Sequence, residues 1–91
     1  MKVFGEVHYH DCKGRQYRLD YLRNEIEGMG IEVTRTDFND DYDGYVEVMV
    51  TLEQAIELSK KYPKFCLPIG RGNTIEEQFN DAIRIEKLIN R

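Results

Sequence analysis

Tryptophan is missing from this chain, proline and cysteine each occur twice, and no apolar run is long enough to span a bilayer. Each scarcity excludes something. Cys12 and Cys66 are too few for a disulfide scaffold and read as free thiols in a reducing compartment. Without a long apolar stretch, no membrane span is expected. Basic residues are in deficit, with 13 Lys and Arg against 17 Asp and Glu, giving a net charge of −4 and a pI of about 5.1. A surface of that sign argues against general affinity for phosphate backbones, so no nucleic-acid partner is expected. The stretch Met1–Glu6 enters a strand pattern directly, with no apolar leader core, which predicts a cytoplasmic location.

Hydrophobic residues make up 41% of the chain, too apolar a balance for disorder, and 91 residues suit a single domain over 1–91. Residues 2–11 alternate, Val3, Gly5, Val7 and Tyr9 against Phe4, Glu6, His8 and His10, which reads as a strand. Leu19, Leu22, Ile26 and Met29 then recur at helical spacing, with Gly28 and Gly30 as stop signals. Alternation returns over Ile31–Phe38. Asp43-Gly44 marks a turn, and Tyr45–Thr51 is a second clear strand of this hairpin. Thr51 with Gln54 forms a capping box for a helix whose stripe is Leu52, Ala55, Ile56 and Ser59, with Leu58 and Tyr62 beside it, stopped by Pro63. Phe65–Ile69 is a short strand broken by Pro68. Thr74 with Glu77 is a second capping box, opening a last helix with Ile75, Phe79, Ala82, Ile83, Leu88 and Ile89.

That order predicts an α+β class, ferredoxin-like split βαβ fold (β-α-β-β-α-β) with an additional C-terminal helix. Right-handed crossovers give strand order 4-1-3-2, with the first two helices on one face. The Pro68 strand then falls at an edge, as proline requires, and so does the charged second strand with Glu32, Arg35 and Asp37. One sheet face should hold Val3, Val7, Tyr9, Ile31, Val33, Val46, Val48, Val50, Phe65, Leu67 and Ile69 as core. The other should show Phe4, Glu6, His8, His10, Thr34, Thr36, Phe38, Tyr45, Glu47, Met49 and Cys66. The stripe of the last helix does not say whether it covers that second face.

Three local patterns carry chemistry. The first is the acidic turn Asn39-Asp40-Asp41-Tyr42-Asp43-Gly44-Tyr45-Val46-Glu47. Oxygen donors at alternate positions followed by a glycine suit a hard cation, calcium or magnesium, and no Lys or Arg lies between residues 36 and 59. The expected ligands are Asn39, Asp40, Asp41, Asp43, the Tyr45 carbonyl and Glu47. Asn replaces Asp at the first position, Val50 stands where an EF-hand carries its last Glu, and the flanks are strands, so the turn is not an EF-hand. A water-solvated hairpin turn accounts for the same residues.

The second pattern is His8, His10, Cys12 and Cys66, a nitrogen and sulfur set that suits zinc, or a Cys-His enzyme centre, at a spacing that matches no zinc-finger signature. Unliganded histidines and thiols on a sheet surface are the preferred reading of the same residues. The third is Gly70-Arg71-Gly72-Asn73-Thr74, where backbone N–H groups at a helix start can hold an anion; the lysine of a P-loop is absent.

RNA-recognition motifs share this topology and stack bases on strand aromatics, for which Phe4 and Tyr45 are placed; Glu6, Glu32 and Glu47 make that face acidic. Asp11-x-x-Gly14 before a helix, then Gly30-Ile31-x-Val33, resembles the opening of ACT domains over residues 11–33. Arg15-Gln16 departs from the apolar residues that family favours there. The resemblance implies a small-molecule-sensing subunit that pairs through its sheet. Phe4, Phe38, Tyr45 and Met49 are the expected contacts for such a homodimer or for another protein partner. Together these patterns support a small non-enzymatic binding or interaction module.

Overall fold

The computed structural model describes residues 1–9, 16–38 and 44–89. Among them the elements run β1 (Val3–Tyr9), α1 (Gln16–Gly28), β2 (Glu32–Phe38), β3 (Gly44–Val50), α2 (Leu52–Lys61), β4 (Phe65–Cys66) and α3 (Ile75–Ile89). The strands form one antiparallel sheet in the order β2-β3-β1-β4. Read from the β4 edge, this is 4-1-3-2. None of these helices is long and apolar enough to cross a membrane.

The core follows the alternation of the strands. Val3, Val7, Val46, Val48 and Val50 are all but inaccessible and pack against Leu19, Leu22 and Ile26 of α1. Tyr9, Val33 and Ile69 cover its margin. Burial of each such aliphatic side chain stabilises the fold by about 1.5–3 kcal/mol. On α2 the buried line is Ala55 and Leu58; Leu52, Ile56 and Ser59 are only half-buried, so the helix is rotated from the expected stripe toward Leu58. The reason is α3: its Phe79 and Ala82 enter the same core, and α2 meets both sheet and helix.

The last helix therefore joins the core side. A close approach at Gly70 fixes it there, since a Cβ on Gly70 would lie 1.8 Å from the Gln78 carbonyl oxygen. Both expected caps are present in different degree. Thr51 and Gln54 complete a capping box, Gln54 N–H donating to Thr51 Oγ1 at 3.2 Å and Thr51 N–H to Gln54 Oε1 at 3.0 Å. At α3, Glu77 N–H donates to Thr74 Oγ1, but the Glu77 carboxylate accepts from Asn73 N–H instead of Thr74.

Two departures matter for the outer face. First, β4 pairs over only Phe65 and Cys66; the expected run to Ile69 is cut short ahead of Pro68, which has no N–H to give a ladder. Second, β2 carries a bulge. Val33 faces Val48, but Arg35 faces Glu47 and Thr36 faces Val46, so Thr34 is the extra residue. Beyond the bulge Arg35, Thr36 and Asp37 change face. Arg35 and Asp37, not Thr36, belong to the outer face, and Thr36 turns to the core side. Phe38 pairs with Gly44 through its backbone, and its side chain lies outside the described groups.

Candidate functional site on the outer sheet face

Strand register builds the outer face row by row. Arg35, Glu47, Glu6 and Cys66 lie side by side across β2, β3, β1 and β4. The neighbouring row is Asp37, Tyr45 and His8; on the other side Met49 lies beside Phe4. Two carboxylates, Glu6 and Glu47, are thus direct cross-strand neighbours, an arrangement that costs stability unless each is compensated.

Both are. Glu47 Oε2 lies 3.5 Å from Arg35 Nε, and its other oxygen accepts from Thr34 Oγ1 at 2.9 Å, a bond supplied by the bulge residue. Arg35 is fixed in turn by the Tyr45 hydroxyl, and its guanidinium carbon lies 5.6 Å from the centre of the Tyr45 ring. The Tyr45 bond raises the Arg35 pKa further, so the guanidinium stays charged. Glu6 is answered by His8, two residues along the same strand and hence on the same face, with Nε2 3.0 Å from Glu6 Oε1. Their side chains retain 25% and 24% exposure, enough for a small ion to reach them.

Cys66 completes this corner. Phe65 enters the core opposite Val7, so Cys66 must face outward, opposite Glu6. A hydrogen bond from His8 N–H to the Lys64 carbonyl at 3.4 Å continues that pairing. One atom each from Glu6, His8 and Cys66, a carboxylate oxygen, an imidazole nitrogen and a sulfur, lie within 4.8 Å of one another. Burial pushes the Cys66 thiol pKa up, and the Glu6 charge adds to the shift. That is opposite to the shift a nucleophilic cysteine needs, and it disfavours equally the thiolate form that would ligate a metal.

The expected residues distribute as follows. His8 and Cys66 are brought together; His10 and Cys12 lie outside the described residues. Asn39, Asp40, Asp41 and Asp43 of the acidic turn also lie outside them. Of the remaining two, Tyr45 is 8% exposed, and Glu47 is held on the sheet by Arg35 and Thr34. As a contact for a partner, Tyr45 offers little surface, whereas Phe4 is 38% exposed. The Gly70–Thr74 loop is filled from within. Arg71 N–H donates to Asp81 at 2.9 Å and Asn73 N–H to Glu77 at 2.9 Å, so two N–H groups of the expected anion cradle already serve carboxylates of α3.

Glu6 is the member of this cluster that sequence reasoning did not single out. The signal was available in parity: His8 and Glu6 share a face, and an inward Phe65 sends Cys66 outward. Comparison with known proteins gives no match to a family model, to a curated protein or to a solved structure.

Proposed function

We propose that this chain is a ferredoxin-like, non-catalytic binding module whose ligand is a divalent transition-metal ion, zinc by its donor set, at Glu6, His8 and Cys66. The observation that carries this reading is the convergence of those three donors within 4.8 Å. Zinc accepts sulfur at about 2.3 Å and imidazole nitrogen or carboxylate oxygen at about 2.0–2.2 Å, so the donors need to draw in by roughly an ångström. Side-chain rotation on an accessible face supplies that movement. A three-donor set leaves a fourth position for water or for a group on a partner molecule. Arg35 supports the site from the side, because it offsets Glu47 and leaves the Glu6 carboxylate to the cation.

The acidic turn remains a second, separate proposal. Its donors, Asn39, Asp40, Asp41, Asp43 and the Tyr45 carbonyl, are all oxygen and favour calcium or magnesium. The two sites are distinguished by the metal each prefers. Pairing of two chains through Phe4 and Met49 is a third reading, and a concentration-independent monomeric mass in solution removes it.

Cobalt(II) tests the first proposal. Added to reduced protein, it is expected to give a near-ultraviolet thiolate-to-cobalt charge-transfer band that Cys66→Ala abolishes and Cys12→Ser retains. No band, or a band lost only with Cys12, contradicts the site. Calcium is expected to leave Glu6, His8 and Cys66 unmoved and to shift only residues 37–47 if the turn binds.

A further inference from the structure

A cleft of about 400 Å³ lies where the end of β1 meets α1 and the end of α2. One wall is a stripe of α1 at helical spacing, with Tyr21 and Leu22 at its middle. Tyr9 closes the cleft from β1, and Tyr62, the residue at which α2 ends, closes it from the far side. The volume lies near the lower end of the range of small-molecule sites, about 300–1,000 Å³.

The two charged residues of the stripe are both answered from within the protein. Glu25 accepts from the Tyr62 hydroxyl and lies 3.3 Å from Lys61 Nζ. Arg18 Nη1 donates to the Tyr9 hydroxyl at 3.2 Å, and Arg18 is engaged beyond that bond. The same bonds commit the polar tips of Tyr9 and Tyr62. What the walls offer a guest is ring and aliphatic carbon, and the lining is overwhelmingly apolar. A charged guest would lose hydration here without gaining a partner. An uncharged guest avoids that loss, and a flat ring gains from tyrosine neighbours beyond the area it buries. His8 lines the cleft and also meets Glu6 in the donor cluster, so a metal on the outer face and a guest in the cleft share one residue.

We infer that the cleft between β1, α1 and the end of α2 is a binding site for a small uncharged aromatic compound, with Tyr9, Tyr21 and Tyr62 as its ring-bearing walls and Leu22 between them.

The test uses three probes: 2-naphthol, which is uncharged at neutral pH, its saturated counterpart decahydro-2-naphthol, and the anion 2-naphthoate. Each is titrated into the whole reduced chain and followed by NMR. A chelator is present throughout, so that no metal at His8 contributes and the result is separate from that of the metal site. Saturable shifts at Val7, Tyr9, Leu22 and Tyr62 are expected with 2-naphthol. The anion should bind at least about tenfold more weakly, since its charge finds no partner. The saturated ring should bind about threefold or more weakly, since it cannot stack. Tyr21 is 73% exposed, so its variants fold; Tyr21→Ala should weaken 2-naphthol several-fold and Tyr21→Phe should not. Equal or tighter binding of the anion overturns the uncharged assignment. Equal binding of the saturated ring, or no effect of Tyr21→Ala, overturns the aromatic one. No saturable shift at those residues overturns the site.

Discussion

The ring of Phe65 lies over Gly5: a Cβ built on Gly5 would approach Phe65 Cε1 to 2.7 Å and Cζ to 2.9 Å. Glycine in a strand ordinarily weakens it, yet here the missing side chain admits the aromatic ring that closes the β4 edge of the core. Gly5→Ala should therefore destabilise the protein by about 1–3 kcal/mol through overpacking. Urea unfolding measures this, and partial recovery in Gly5→Ala/Phe65→Leu identifies the clash as the cause. An unchanged midpoint in Gly5→Ala contradicts the packing.

The N-terminus of α2 depends on Thr51 and Gln54 serving each other's backbone N–H groups. Thr51→Ala removes the acceptor for Gln54 N–H and should cost about 1 kcal/mol, within the usual range of about 0.5–2 for such caps. Thr51→Ser should cost less than half as much. Equal losses in the two variants indicate that the methyl group matters and the cap does not.

Glu25 gives the fold an acid-side pH dependence. The Tyr62 hydroxyl bond holds its carboxyl below the usual range; burial opposes this, and Lys61 assists it. A carboxyl held low in the folded state adds stability that is fully present above its unfolded pKa of about 4.3 and is lost as pH falls through the lower folded value. Glu25→Gln should thus lower stability at neutral pH and flatten the decline of stability in acid. Parallel stability curves for wild type and variant from neutral to acidic pH contradict the assignment. The same bond raises the Tyr62 pKa, with burial as the larger cause.

Much of the fold was legible because its periodicities are clean. Val46, Val48 and Val50 alternate without interruption and are all buried, and Leu19, Leu22 and Ile26 form the α1 line. The errors have local causes. A bulge at Thr34 leaves no mark in a run of Thr, Arg and Asp, all of which tolerate either face, so the outer-face assignment slipped to Thr36 where Arg35 belongs. The rotation of α2 toward Leu58 depends on Phe79 and Ala82 of a helix distant in sequence. Of the donor cluster, His8 and Cys66 were visible as residue types. The shared face of His8 and Glu6 follows from parity within β1, whereas the pairing of Cys66 with Glu6 depends on the register of a two-residue strand, too short for a pattern to specify.

The central claim is that Glu6, His8 and Cys66 act together on one cation, and a site-resolved zinc titration of the reduced protein by NMR tests it most directly. The account predicts saturation at one zinc per chain at this site, with shifts centred on these three residues, intact in Cys12→Ser and abolished in both His8→Ala and Cys66→Ala. Zinc shifts that persist unchanged at Glu6 and His8 after Cys66→Ala, or none there in wild type under excess zinc, would contradict it.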